Sequence, residues 1–355
     1  MKNTEFFLGG ASPDGFRTDF GRLIYDGKNF TYIIKGTAGS GKSTLMKKLA
    51  AAFPEDSKEI YSCSADPDSL DAVYFTDRNI IIVDGTAPHV FEPKYPFARQ
   101  MLVDMGLYLA QNSLYEKRED IVSVTDDYSQ CHVRCRRYLT ALAAIIADMK
   151  NIGQTALNTE KLSGFTDRMC RKLLPKKSHA SCGKISFKPI SAVTPLGYIT
   201  KIPKDWTVYL LNDDHFAGSD EFLHAFADNA SKRGYDVVVS KSTLHTCEHY
   251  EHILIPEINT ALVTAGPLCR PEAEGCRPVN FRRFYDKNIL ADKKVRMKFN
   301  KNACEDLLDE AVYSLVCAKA YHDKLEHFYI ESADFASVNR LLYRLISDIK
   351  SKSKS

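Results

Sequence analysis

Gly36, Gly41, Lys42 and Ser43 stand at the spacing G-x-x-x-x-G-K-S, inside Gly36-Thr37-Ala38-Gly39-Ser40-Gly41-Lys42-Ser43-Thr44. Glycines let such a loop wrap closely, so that successive backbone N–H groups can point inward at phosphate oxygens. Lys42 then offers a charge to the β- and γ-phosphates, and the Ser43 hydroxyl is placed to ligate Mg²⁺. A matching carboxylate stands 42 residues after Lys42, where Asn79-Ile80-Ile81-Ile82-Val83-Asp84 closes an apolar run on Asp. That is the Walker B form, in which a buried strand delivers a carboxylate toward the metal. Ser43 and Asp84 are therefore the expected metal ligands. Gly85 follows Asp84, so the adjacent glutamate that many ATPases use to activate water is absent. A base must come from elsewhere, and Asp66, Asp68 and His89 are the candidates. His89, in Thr86-Ala87-Pro88-His89, reads first as a structural turn histidine and only second as a base.

The elements around the loop are those its chemistry requires. Phe30-Thr31-Tyr32-Ile33-Ile34 is β-branched and aromatic and predicts a buried strand leading into the loop. Leu45, Met46, Leu49 and Phe53 recur at helical spacing before Pro54, which predicts a helix starting near Ser43. Its positive dipole end would then lie under the phosphates. Glu59–Cys63 predicts a second strand, running into Ser64-Ala65-Asp66-Pro67-Asp68-Ser69-Leu70-Asp71. Carboxylates just past a strand end lie on the ligand rim of an open α/β sheet. Capping of a following helix by Asp68 or Ser69 is the competing role. Phe6–Leu8 predicts a short strand entering the turn Gly9–Gly15.

Residues 94–174 read as mostly helical, with breaks near Asn112–Glu119 and Gly153, and with an apolar stripe at Leu139, Leu142, Ile145, Ile146 and Met149. Cys131 and Cys135 share a helix face without two further ligands, so they read as structural rather than as zinc ligands. Arg134, Arg136 and Arg137 read as solvated, with an arginine-finger role as the sharper alternative.

At 355 residues the chain has room for two domains, each burying its own core. A net charge of +3 gives no argument for nucleic acid or an anionic membrane as partner. No segment approaches the roughly 18 apolar residues that span a bilayer. The start Met1–Leu8 lacks a signal-peptide apolar core, and ten scattered cysteines fit a reducing cytoplasm.

Beyond the linker Leu174–Gly183, the first half recurs. Ser191–Tyr198 echoes Gly10–Phe16, and Thr207–Leu211 echoes Thr31–Ile34. An offset of 177 then aligns Gly41 with Gly218, Leu49 with Phe226 and Ile60 with Val237. After a three-residue insertion, Thr260–Val263 matches Ile80–Val83. The chemistry does not recur: Gly36 becomes Asp213, Lys42 becomes Ser219, Ser43 becomes Asp220 and Asp84 becomes Thr264. The second half is expected to keep the fold and bind no triphosphate in this manner. His245, Cys247, His249 and His252 are dense enough to suggest zinc but read first as an exposed polar helix. Arg270, Arg282 and Arg283 could serve the first site, and Leu307–Ile349 reads as a helical pair.

The glycine pair near the N-terminus, the loop Gly36–Thr44, Asp66–Asp71 and Val83-Asp84-Gly85-Thr86-Ala87-Pro88-His89 together resemble the tandem P-loop ATPases of Firmicutes. The resemblance extends along the chain to Ala318–Asp334, and the loss of the second loop departs from the family pattern. It implies fold and nucleotide binding but no substrate. The expected fold class is α/β, two tandem P-loop NTPase-like domains at 1–178 and 184–355. Each would be a mainly parallel sheet flanked by helices, the second copy degenerate. The expected function is Mg-dependent ATP binding and hydrolysis by the first domain, the second regulating it or binding an acceptor or protein partner, with homo-oligomers possible. A small-molecule or nucleotide kinase and a nucleotide-gated switch are the alternatives, because transfer and hydrolysis share every part except what lies in line with the γ-phosphate.

Overall fold

The computed structural model describes residues 3–177, 181–271 and 273–352. The middle of the expected linker (178–180), the first two residues and the tail end (353–355) lie outside the described residues. In chain order the first half runs β1 (Asn3–Phe7), β2 (Gly10–Ser12), β3 (Gly15–Arg17), α1 (Gly21–Ile24), β4 (Phe30–Lys35) and α2 (Lys42–Ala52). It continues through β5 (Lys58–Ser62), β6 (Leu70–Phe75), β7 (Ile80–Asp84), β8 (Gln100–Asp104), α3 (Gln111–Glu116), α4 (Arg118–Ala156) and α5 (Thr159–Leu173). The second half runs β9 (Ile185–Phe187), β10 (Ser191–Thr194), β11 (Gly197–Thr200), β12 (Thr207–Asn212), α6 (Ala217–Lys232) and β13 (Val237–Lys241). It ends with β14 (Tyr250–Ile255), β15 (Thr260–Ala265), β16 (Arg277–Asn280), α7 (Lys287–Asp292), α8 (Lys294–Ser332) and α9 (Phe335–Lys352).

Two six-stranded sheets result, ordered β1-β5-β6-β7-β4-β8 and β9-β13-β14-β15-β12-β16. Read in that order, both go parallel, antiparallel, antiparallel, parallel, parallel. The same order and sense in both halves match the internal repeat at the level of topology. Register agrees with the sequence offsets: Ile34 pairs with Asp84 as Leu211 pairs with Thr264. The two short turns match as well. Ser12 Oγ donates to Gly15 O and Thr194 Oγ1 to Gly197 O, both at 2.9 Å, and both glycines have positive φ.

The sheets are mixed rather than mainly parallel, and the reason is local. Only Thr76–Asn79 link β6 to β7, far fewer residues than a parallel crossover needs. Asn79 turns the chain at φ 53°, and Asn259 does the same at 46° between β14 and β15. The acidic stretch before Leu70 thus leads into a strand, not into a helix needing a cap, and two strands rather than one separate α2 from β7. Gln100–Asp104 is likewise a strand inside the region expected to be helical. Gly153 does not break α4; a Cβ there would lie 2.9 Å from His215, so it permits close packing.

Contacts divide the chain into two compact units that are not the two sequence halves. Unit 1 comprises residues 1–10, 16–135 and 313–355; unit 2 comprises 11–15 and 136–312. Two of the divisions fall inside α4 and α8, each 39 residues long, and the other two within the short strands β2 and β3. In unit 1, α9 packs on α2, burying Val338, Leu341, Leu342, Leu345 and Ile349 against Leu45, Leu49, Phe75 and Ile82. Five such side chains contribute on the order of 10 kcal/mol of gross apolar burial before entropy is subtracted. In unit 2, α5 plays that part on α6, with Leu162, Met169 and Cys170 against Phe222 and Phe226. Each half of the sequence therefore supplies the covering helix of the other half's sheet.

Candidate functional site

The loop after β4 opens on Gly36 and ends at Gly41, which caps α2 in a left-handed conformation at φ 90° with no side-chain cap. The first amides of α2 are thereby left for a ligand. Gly39, at φ 72°, is required twice over, because a Cβ there would lie 2.5 Å from the carbonyl oxygen of Glu326 on α8. Lys42 Nζ donates to Gly36 O at 2.9 Å and Thr37 O at 2.6 Å, and lies 3.6 Å from Asp84 Oδ2. The other Asp84 oxygen accepts the Thr86 N–H at 2.8 Å, while Thr86 Oγ1 donates to Gly36 O. Parallel pairing of β4 with β7 brings loop and carboxylate together, as expected for Lys42 and Asp84. Ser43 Oγ accepts the Leu70 N–H at 3.0 Å, which ties β6 to the start of α2.

That tie also places Asp71, the last acid of the stretch Asp66–Asp71. Asp71 is buried, and the antiparallel register of β6 and β7 sets it opposite Asp84. Asp71, Asp84 and His89 each offer a ligand atom within 4.8 Å of the others. Asp71 Oδ2 and both ring nitrogens of His89 are buried and have no hydrogen-bond partner among the described residues. His89 Nε2 lies 3.9 Å from Asp71 Oδ1. Burial, then the neighbouring Asp84 charge, pushes the Asp71 carboxyl up to about 8, although a hydrogen bond from Cys63 and the charge of Lys42 oppose this. Burial pushes His89 down from its ordinary range, so it is neutral at pH 7.

The remaining predicted residues divide. Asp66 stands at the rim, accepting from Ser69 Oγ at 2.7 Å and lying 3.9 Å from Lys319 Nζ of α8. Asp68 is exposed. Thr37, Ala38, Ser40 and Thr44 complete the loop, and Ser40 Oγ donates to Thr37 O. Arg134, Arg136, Arg137 and Arg270 are exposed, and Arg283 stacks on Phe165 and Phe284. Cys131 and Cys135 are buried along α4. A second group of possible ligands, His322, Asp323 and Glu326, is part-exposed on α8, with Asp323 already paired to Lys319.

In unit 2 the corresponding loop is closed by its own side chains. Asp213, 1% exposed, accepts the N–H groups of Ser219 at 2.8 Å and His215 at 3.0 Å, and the Tyr285 hydroxyl at 2.8 Å. A carboxylate thus sits on the amides at the start of α6. Phe216 holds the left-handed conformation of Gly39 at φ 60°. Asp220, in place of Ser43, accepts the Tyr250 N–H just as Ser43 accepts that of Leu70, and pairs with Lys150 at 2.7 Å. Burial would raise the Asp220 carboxyl, but bonds from His224, His249 and Lys150 hold it well below the usual range. The histidine-rich stretch is not an exposed helix. His245 and His249 are buried in the connection before β14, their rings stacked 3.8 Å apart, and Cys247 is exposed. His252, within β14, takes the Thr264 N–H on Nδ1 and bonds Ser191 Oγ through Nε2.

Asp71 and Asp84, with an orphaned carboxylate oxygen on Asp71, form with His89 a group that could hold a metal ion. No helix among the described residues is long and apolar enough to cross a membrane. Comparison with protein families, curated proteins and solved structures finds no match for this chain.

Proposed function

We propose that unit 1 binds Mg-ATP on the loop Gly36–Thr44 and hydrolyses it slowly, while unit 2 regulates that site or binds a partner. The observation that carries this reading is the convergence on one loop of Lys42, Asp84, Asp71 and His89, the last two with orphaned buried polar atoms. The loop amides and Lys42 grip the phosphates, Lys42 exchanging its two carbonyl partners for phosphate oxygens. Ser43 and Asp84 would hold the metal, which when bound neutralises phosphate charge. Neutral His89, with free ring nitrogens beside Asp71, is suited to orient water and accept its proton as that oxygen bonds to the γ-phosphorus. The bond from the γ-phosphorus to the bridging oxygen breaks, and ADP leaves with the electron pair. ATP rather than GTP is the simpler reading, because no Asn-Lys-x-Asp or Thr-Lys-x-Asp guanine signature stands at a suitable strand end.

Calorimetric ATP titration and phosphate release with the full chain test this. Lys42→Ala removes one or two charge-assisted bonds and is expected to weaken ATP binding about 100-fold. Asp84→Asn is expected to abolish the Mg dependence of turnover. Undiminished affinity in Lys42→Ala overturns the loop assignment. Tight binding without phosphate release replaces hydrolysis by a nucleotide-gated switch.

A further inference from the structure

Unit 2 contains a cavity of about 570 Å³, within the range of small-molecule sites. It opens at the carboxyl ends of β12 and β16, beside the closed loop, and Asp213, His215, Arg282, Tyr285, Lys287 and Lys294 line it. We infer that this cavity binds a small organic phosphate monoester, independently of the nucleotide loop in unit 1.

The charge balance of the wall carries the inference. Arg282, Lys287 and Lys294 converge on one cavity, and among the described residues none of them is in an ion pair. Asp213 accepts from the amides of Ser219 and His215 and from Tyr285 and makes no ion pair with these cations, but its charge still counts in the wall. Exposed Asp214 is the single other acidic residue of the lining. Three cations against two carboxylates leave the lining with an excess of one positive charge, and the unpaired cations in a concave site favour an anion. Lys294 also begins α8, whose positive dipole end therefore opens on the same space.

The rest of the lining says what else the ligand carries. Leu290, Ala291 and Met297 form an apolar wall, suited to an organic body rather than to a bare ion. His215 adds a buried Nδ1 with no hydrogen-bond partner, held edge-on to Tyr285 at 4.8 Å between centroids. A triphosphate chain lacks its usual anchor here, since the amides at the start of α6 are already occupied. The ligand class is thus an anionic head and one compact body.

The test uses the full chain in a Lys42→Ala background, so that nucleotide binding in unit 1 is weakened about 100-fold. Calorimetric titration with AMP, and separately with inorganic phosphate, is expected to show AMP binding and weaker phosphate binding. Arg282→Ala and Lys294→Ala are each expected to weaken AMP binding about tenfold. Lys172→Ala, an exposed charge on α5, is expected to leave it unchanged. No binding of either probe up to about 10 mM overturns the inference. So does an equal loss in Lys172→Ala, which reduces the effect to general charge, or AMP binding that needs Lys42.

Discussion

Replacing Asp213 tests whether unit 2 fills its own anion site. The carboxylate is 1% exposed and accepts three donors, the amides of Ser219 and His215 and the Tyr285 hydroxyl. Asp213→Ala leaves all three without their acceptor at a position that is itself 1% exposed. At about 1 kcal/mol each, the loss is ~3 kcal/mol, less whatever is regained by no longer burying a charge. Asp213→Asn separates acceptor count from shape. Both carboxylate oxygens accept, whereas asparagine has one acceptor and turns an amine toward a second donor. The asparagine variant should therefore lose ~2 kcal/mol, close to the alanine value, despite being nearly isosteric. The assay is built into the chain: Trp206 is its one tryptophan and stands directly before β12 in unit 2. Urea unfolding followed by its fluorescence reports on that unit. Wild-type stability in Asp213→Asn, or a loss under about 0.5 kcal/mol in Asp213→Ala, would refute the idea that this carboxylate holds the loop closed.

Gly39→Ala is expected to cost about 2 kcal/mol, from positive φ and the Glu326 carbonyl. Gly41→Ala should cost less, since its Cβ meets only the Phe335 ring at 3.4 Å; thermal unfolding of the two variants checks the order. Glu251 is pushed up to about 7 by burial, against a hydrogen bond from Tyr198, so the folded chain holds its proton more tightly than the unfolded chain does. Its stabilising effect is full below about pH 4.5 and lost as pH rises toward 7, with a slope of up to about 1.4 kcal/mol per pH unit. His215, His249 and His252 act with the opposite sign; His252 Nε2 lies 3.5 Å from Glu251 Oε2, so the difference between wild type and Glu251→Gln in Trp206-monitored unfolding reads Glu251 together with its effect on His252. Asp213→Gly with Ser219→Lys, in a Lys42→Ala background, should bind ATP no more tightly by calorimetry than Lys42→Ala alone does. Asp220 remains paired to Lys150 where Ser43 would stand, and a gain in ATP affinity by that variant counts against this account.

Local chemistry made much of this legible. Gly36–Thr44 flanked by an apolar strand and an amphipathic helix fixed β4, the loop and α2, and β7 ending on Asp84 followed from its apolar run. The repeat was visible because buried positions keep their character, as Leu49 and Phe226 do, after the site chemistry has gone. Asp71 is not legible from the sequence as a site residue, because its place depends on Thr76–Asn79 forming a hairpin turn. Once β6 is folded back on β7 around Asn79, the register puts Asp71 opposite Asp84 without further information. Exchange of the covering helices was not legible for a different reason. The stripes of α5 and α9 say that each needs an apolar floor, and both sheets provide one. Which floor each takes depends on where α4 and α8 deliver the chain.

That exchange has a consequence for synthesis. The apolar cluster that α2 shares with α9 is incomplete until residues 335–352 have left the ribosome, although the phosphate-gripping loop itself is made early. A nascent chain released after residue 178 would carry every residue of the glycine loop and still present Leu45, Leu49 and Phe75 to water. Such a fragment is expected to aggregate, and adding the segment 313–352 in trans is the natural means of rescuing it.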